Sequence, residues 1–282
     1  MVDYTTQAEP PAPHYSVFLR ACDVVNSDHG AQRPFGLTKL QTIKVCVHSL
    51  VRALEGHSYS MLVIGDGLSP AAVSFFEAIP GVQLRQEQIL NAGKTALLQT
   101  ELGLKADDDD WVYFVEDDYL HTRDAFARID ALVRGRHEIL DTPGGKRNWW
   151  PRLGGNVGYR PLFIYPSDYP DRYQGKNRRP SYVFAAPNGH WRQISNTTHT
   201  YMAQGRTLRR FGPQLRAASM NYSDGLLSRT VYGGLFGRTK ALCVSPMPGF
   251  ATHFTDGVMT PFVDWAAEVE RNRTELIALG LW

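Results

Sequence analysis

Between residues 15 and 140 the chain switches repeatedly between two periodicities, and this constrains its fold more than any other feature. "HYSVFLRACD" alternates and is rich in aromatic and β-branched residues, which predicts a strand ending near Cys22. In "LTKLQTIKVCVHSLVRALEG", Leu40, Ile43, Val47, Leu50, Val51 and Leu54 recur at helical spacing, and Gly56 suits the position after the helix. "SYSMLVIGDG" is an unbroken apolar run, as in a strand buried on both faces. Ser69 and Pro70 then open a second helix as N-cap and first helical residue. The short strand "GVQLRQE", the helix "GKTALLQTELGLKA", the strand "DWVYFVEDD" and the helix "TRDAFARIDALVRGRHEIL" complete the series, the last capped by Thr122 or Asp124. Strand and helix in strict turn imply βαβ units, a parallel sheet and right-handed crossovers.

Ligands of such sheets sit at the carboxyl ends of the strands. Three polar clusters fall there: Arg20 to Asp23, Asp66 with Gly67, and Glu116 to Asp118. Residues far apart in sequence are thereby expected along one edge. After Asp141 the pattern breaks. "DTPGGKRNWWPRLGGN" and "YPSDYPDRYQGKNRRP" are rich in Gly, Pro, aromatics and Arg. Loops of that length are functional or disordered, and the aromatics argue against simple disorder. "PLFIY", "SYVFAAP" and "ALCVSPMP" read as strands, "NTTHTYMAQGRTLRRF" and "SDGLLSRTVYG" as helices, and "PFVDWAAEVERNRTELIALGLW" as an amphipathic helix. The expected organisation is a disordered lead-in over 1–14, a ligand-binding half over 15–140, a second half of the same domain over 141–260, and the closing helix over 261–282.

With 282 residues and a net charge of +2, the chain offers no general electrostatic case for nucleic acid. Cys22, Cys46 and Cys243 are odd in number and far apart, which suits buried thiols in a reducing compartment. The opening residues carry acids and prolines without an apolar core, unlike a signal peptide. No apolar run approaches the ~20 residues of a membrane span. The expected location is cytoplasmic, with any membrane contact made peripherally, at the inner surface.

The acids of "VYFVEDDYLH" carry the first chemical suggestion. Adjacent carboxylates repel and are costly to desolvate, so a strand that ends in three of them suggests a compensating divalent cation. An acidic turn before a helix is the competing reading, since acids near a helix N-terminus are favourable in any case. The upstream run Asp107 to Asp110 lies at the other end of the strand and reads as a solvated loop. In "IGDGLSP", Asp66 can accept from a ribose hydroxyl or a base N–H, or close an Asx-turn. In "NAGK", Gly93 permits a tight turn and Lys94 offers a cation at a helix N-terminus, where backbone amides also favour anions.

The order of these pieces is more specific than any one of them. A strand with an Arg, then "DGLS", then "NAGK" entering a helix, then a strand ending in "EDD", resembles the nucleotide-sugar half of GT-A glycosyltransferases, most of all family 2. "VEDDYLHTRDAFARI" also resembles the EDD segment and following helix of the N-acetylglucosaminyltransferase I family. The likeness covers residues 15 to 130. It implies an α/β GT-A fold, Rossmann-like, with a mostly parallel central sheet flanked by helices and an irregular acceptor-side second half. By that resemblance the acidic triplet is the DxD motif: Glu116 and Asp117 lie near the ribose and Asp118 ligates Mn²⁺ or Mg²⁺. Asp66 meets the nucleobase, and Arg20 and Lys94 lie near the nucleotide. Glu116 departs from the family 2 pattern, which has Asp at the first position.

The second half is read in the same light. Such enzymes often bring a late His to the metal, and "SPMPGFATHF" places His253 in that setting. An acid opening a helix commonly serves as the base, which points to Asp224, although the family's "ED" is Ser223-Asp224 here. A plain first-turn acid is the alternative for Asp224. Asp168, Asp171 and Asp256 are further candidates. Trp149 and Trp150 form an acceptor wall or pack in the core. Arg172, with Lys176, Arg178 and Arg179, suits an anionic acceptor or is a solvated loop.

The implied reaction is transfer of a sugar from a nucleotide-diphosphate sugar, a UDP-sugar in first place, to a hydroxyl of a glycan or lipid-linked acceptor, with inversion. Two alternatives stand beside it. A sugar nucleotidyltransferase usually opens with a "GGxGTR"-like loop, which "LRACDVVNSD" lacks. A catalytically inactive nucleotide- or glycan-binding module would keep the fold without the chemistry.

Overall fold

A computed structural model describes residues 12–23, 33–140, 160–173, 183–186, 188–233 and 240–282. In the first half it contains β1 (His14–Ala21), α1 (Lys39–Leu54), β2 (Ser58–Asp66), α2 (Pro70–Glu77), β3 (Val82–Glu87), α3 (Ala92–Gly103), β4 (Trp111–Glu116), β5 (Tyr119–His121) and α4 (Ala125–Leu140). In the second come β6 (Leu162–Ile164), β7 (Val183–Ala186), β8 (Gly189–Ile194), β9 (Tyr201–Gln204), α5 (Gly205–Arg210), α6 (Gly212–Met220), α7 (Asp224–Thr230), β10 (Leu242–Met247), β11 (Ala251–His253) and α8 (Trp265–Ala278).

The boundaries follow local chemistry. Thr38 and Gln41 form a reciprocal capping box at the start of α1, so two orphan N–H groups are satisfied. Ser69 accepts from Ala72 N–H and Pro70 occupies the first turn of α2. Asn91 caps α3 by accepting from the amide of Lys94. The first four long strands pair in parallel, in the order β3-β2-β1-β4. Because β3 returns across β2 and β1 to β4, right-handed crossovers put α3 on the face opposite α1 and α2. α1 packs with α4 and α8, and α3 packs with α6. Between these layers Val17, Leu19, Val63, Val112, Phe114 and Val115 are almost wholly buried. The result is mixed α/β, with a large and mostly parallel central sheet flanked by helices.

The second half joins the same sheet. Beyond β4 the order continues β9-β6-β10-β8-β7, with β9 and β8 running against the other strands. Two expectations change here. Of the helix expected over "NTTHTYMAQGRTLRRF", residues 196–200 are irregular and 201–204 are β9, paired on one side with β4 and on the other with β6. Tyr201, Met202 and Ala203 are buried there, so burial between two strands overrides the helix preference of the "MAQ" segment. The chain then turns into α5 at Gly205, where a Cβ would sit 2.1 Å from the Asp107 carbonyl oxygen. The second change is that β8 and α6 are regular elements that periodicity did not signal.

Register sets the polar edge. Arg20 of β1 lies opposite Ile64 of β2 and Glu116 of β4, while Ala21 lies opposite Gly65. Arg20 and Glu116 therefore lie at one level, and Asp66 closes β2 two residues beyond Ile64 on the same edge. Just past this edge β5 pairs with β11 in a two-stranded sheet, with Tyr119 opposite His253.

Candidate active site at the carboxyl edge

Each carboxylate of the triplet meets a different basic side chain from a different element. Glu116 accepts from Arg20 Nη2 at 2.6 Å and from the Tyr222 hydroxyl at 3.1 Å. Asp117 turns the other way, accepting from Lys39 Nζ at 2.7 Å and from the Cys22 amide at 2.9 Å. Burial works against the Lys39 ammonium, but Asp117 and Asp118 outweigh it and raise its pKa. Asp118 faces His253, with Nε2 3.1 Å from Oδ2.

Asp118 is the least satisfied of the three. Its Oδ1 is buried and has no hydrogen-bond donor. Burial pushes its carboxyl up, yet His253, Lys39 and Arg33 together bring it down to about 2. The His253 ring stacks on Tyr119 at 5.3 Å with an interplanar angle of 14°. The Phe254 amide donates to the Asp118 carbonyl at 2.7 Å, which closes the chain around the pair. Among the described residues no group of three His, Cys, Asp or Glu side chains is placed to hold a metal. Asp118 Oδ1 and His253 Nε2 nonetheless suit a divalent cation that takes one or two protein ligands and completes its sphere with water and phosphate oxygens.

Asp66 is buried at the end of β2 and organises the neighbouring loop. One oxygen accepts from the amides of Ile89 at 2.7 Å and Leu90 at 2.8 Å, the other from the Thr95 hydroxyl at 2.6 Å. That loop leads into "NAGK", where Lys94 is exposed on the first turn of α3. Gly93 serves close packing rather than a turn: a Cβ there would lie 2.9 Å from the Met220 carbonyl oxygen. This approach of α3 to the end of α6 brings Tyr222 to Arg20, whose Nη1 also binds the Ala92 carbonyl at 2.9 Å.

Asp224 opens α7 beside this group, half exposed, with Oδ1 3.6 Å from His199 Nε2. Burial first, and then the charge of Glu116, raise its pKa to about 6, with His253 acting in the opposite sense. The other acids considered as bases are placed differently. Asp168 is fully buried and takes hydrogen bonds from Arg192 and Tyr173. Asp256 is exposed. Arg172 is turned inward: its Nη1 binds the Ser167 carbonyl at 3.1 Å and Ser245 Oγ at 3.2 Å, and its guanidinium lies over the Tyr165 ring. It thus braces the loop beneath His253, because Ser167 bridges to Ala251. Trp149, Trp150, Lys176, Arg178 and Arg179 lie outside the described residues.

The structure therefore brings Arg20, Glu116, Asp117, Asp118 and His253 together, with Asp224 close by, and it places Asp66 and Lys94 along the same edge. Sequence reasoning missed Lys39, His199, Tyr222 and Tyr119. Lys39 carried a signal, since a lysine as the first residue of a helix opposes the macrodipole and calls for a local anion. His199 and Tyr222 sit in irregular segments with no such mark.

No protein-family model matches the chain, and no curated protein matches it by sequence. Among solved structures it resembles galactosyltransferase LgtC in complex with donor and acceptor sugar analogs, at 15% identity and a TM-score of 0.42, over 93% of this chain and 95% of that one. An active-site mutant of LgtC gives 14% identity and a TM-score of 0.44 over the same shares. CMP:2-keto-3-deoxy-manno-octonic acid synthetase complexed with CTP gives 12% and 0.40, over 94% and 98% of the two chains. The residues at the sheet edge, not these loose likenesses, carry the functional reading.

Proposed function

We propose that the protein is a divalent-metal-dependent glycosyltransferase of the GT-A type. It moves a sugar from a nucleotide-diphosphate sugar, a UDP-sugar in the first instance, to a hydroxyl of a glycan or lipid-linked acceptor, with inversion at the anomeric carbon. One observation carries the reading: a buried Asp118 oxygen without a donor, beside His253, at the strand edge where Arg20 and Lys39 already balance the neighbouring acids.

Asp118 and His253 would hold Mn²⁺ or Mg²⁺, which when bound offsets the charge growing on the departing diphosphate. Arg20, Glu116 and Asp117 form a rigid ion-paired floor under the nucleotide. Asp66 shapes the loop that presents Lys94 to the phosphates and the base. Asp224 takes the proton from the acceptor hydroxyl, and a base with a pKa of about 6 is ionised at neutral pH. Trp149 and Trp150 are assigned to the acceptor side. Arg172, turned inward, supports the metal ligand His253 instead of the acceptor, by bracing Ser167 against Ala251. Among the described residues no helix is long and apolar enough to cross a membrane.

The test is a thermal-shift screen of nucleoside diphosphates with and without Mn²⁺. A ligand at 100 times its Kd stabilises the native state by about 2.7 kcal/mol. A rise in Tm with UDP that requires Mn²⁺, and that Asp118→Ala removes, is the expected result. A protein that binds neither metal nor any nucleotide sinks the proposal. Specific binding without transfer or donor hydrolysis would leave the inactive-module alternative standing.

A further inference from the structure

His199 and Tyr222 form a stacked pair at the same edge. His199 lies just before β9, and its ring stacks flat on Tyr222, with centroids 4.5 Å apart and an interplanar angle of 9°. Tyr222 is itself fixed, since its hydroxyl accepts from Arg20 at 3.3 Å and donates to Glu116 at 3.1 Å. The Tyr222 backbone is left-handed, with φ of 45°. A bulky residue rarely adopts that conformation, and such strain persists where the surroundings enforce it. Arg20 and Glu116 thus hold Tyr222, and Tyr222 holds the imidazole.

The imidazole is aimed. His199 Nε2 is buried and has no hydrogen-bond partner, and Asp224 Oδ1 lies 3.6 Å away. That gap is longer than a formed hydrogen bond but within a small side-chain adjustment, as catalytic contacts often are before substrate binds. Among the described residues no other donor binds the Asp224 carboxylate. The charged and titratable groups acting on the two side chains are Glu116 of β4, Arg20 of β1, His253 of β11 and Tyr222 before α7. Burial chiefly, with Arg20 in support and Glu116 opposing, brings His199 down to about 4, so it is neutral at pH 7.

We infer that His199 is the positioning residue of the base: its imidazole donates from Nε2–H to Asp224 Oδ1 and turns the other oxygen toward the acceptor. This rests on the assignment of Asp224 as the base. In the transfer step the acceptor O–H bond breaks and its proton goes to Asp224 Oδ2. The acceptor oxygen bonds to the anomeric carbon, and the bond from that carbon to the diphosphate oxygen breaks with its electron pair leaving on the nucleotide. A donor hydrogen bond favours the ionised carboxylate, so removing His199 moves the acid limb of the pH profile upward.

The experiment pairs His199→Phe, which keeps the stack on Tyr222, with His199→Gln, which restores a donor. Expected for His199→Phe are a kcat lower on the order of 10-fold, an unchanged donor KM and an acid limb shifted to higher pH. His199→Gln should recover part of the rate and of the limb. Imidazole ¹⁵N shifts of the wild-type enzyme, which involve no variant that must fold, should show the Nε2–H tautomer at pH 7, and Asp224→Asn should move that signal. An Nδ1–H tautomer, or wild-type kcat and acid limb in His199→Phe, overturns the inference. Near-wild-type rates in Asp224→Asn would instead overturn the base assignment, so the two failures are distinct.

Discussion

The two ends of β4 carry two acidic clusters six residues apart, and they behave as different chemistry. At the amino end, Asp107, Asp108 and Asp109 are exposed. Asp108 pairs with Arg209, Asp109 pairs with Arg206, and the α5 backbone closes on the same loop through Arg206 N–H to the Asp108 carbonyl at 3.1 Å. At the carboxyl end, Glu116, Asp117 and Asp118 are 19%, 8% and 13% exposed and are met by Arg20, Lys39 and His253. Basic side chains meet both clusters, so acid count and basic partners do not separate them. They differ in burial, in how many elements converge on them, and in the one buried oxygen left without a donor. Strand polarity decides which end becomes the site, because crossover loops of a parallel sheet gather at the carboxyl edge.

The sharpest way to break this contrast is to remove one acid from each end. Asp118→Ala should abolish metal-dependent transfer, since the stabilisation a cation gives a leaving phosphate is several kcal/mol, or ~10³ in rate and beyond. Mn²⁺ titration watched by the Tm should lose its response in the same variant. Asp224→Asn should lower kcat by ~10²–10⁴ while nucleotide binding survives, because it removes the base and not the donor site. The wild-type kcat/KM should fall tenfold per unit below about pH 6, where Asp224 gains its proton. A flat profile from pH 5 to 8 would count against Asp224.

A second test asks whether burial alone separates the clusters. Lys39 and Asp117 are 14% and 8% exposed and 2.7 Å apart. Removing one member of a buried pair strands the other charge, so Lys39→Met should destabilise the fold by ~3 kcal/mol. Adding Asp117→Asn should restore most of that loss, which denaturant melts of the single and double variants would show. If Lys39→Met leaves stability intact, water reaches Asp117 and the edge is wetter than its geometry implies.

Legibility followed the same divide. The first half is legible because its long elements are marked locally: Ser69 with Pro70, Asn91 before α3, and the apolar run of β2. The triplet was conspicuous because a buried strand has no local reason to end in three acids. The adjacency of His253 to Asp118 came only from the family likeness, because β5 and β11 are too short to show a period. β9 was unreadable for another reason, since its partners β4 and β6 lie far away in sequence and its own propensities favour a helix. Arg172 looked like a surface cation, and only the fold shows it turned in toward Ser167 and Ser245.

The smallest expected effect concerns the amino-end cluster and completes the contrast. The Arg209 guanidinium holds the Asp108 carboxyl below the usual carboxylate range. A lowered native pKa contributes stability that is present above the unfolded value and lost as pH falls through the native one. The sign is therefore favourable at neutral pH and fades in acid. The pair is exposed, so solvent screening leaves little of it, and at 1 M salt the Debye length is about 3 Å. Asp108→Ala and Arg209→Ala should each leave transfer unchanged, and a double-mutant cycle on the melts should show a slight coupling that vanishes in 1 M salt. A coupling that survives high salt, or a rate loss in Asp108→Ala, would mean the loop at this end is tied to the site through β4, and the two ends of the strand would no longer be independent.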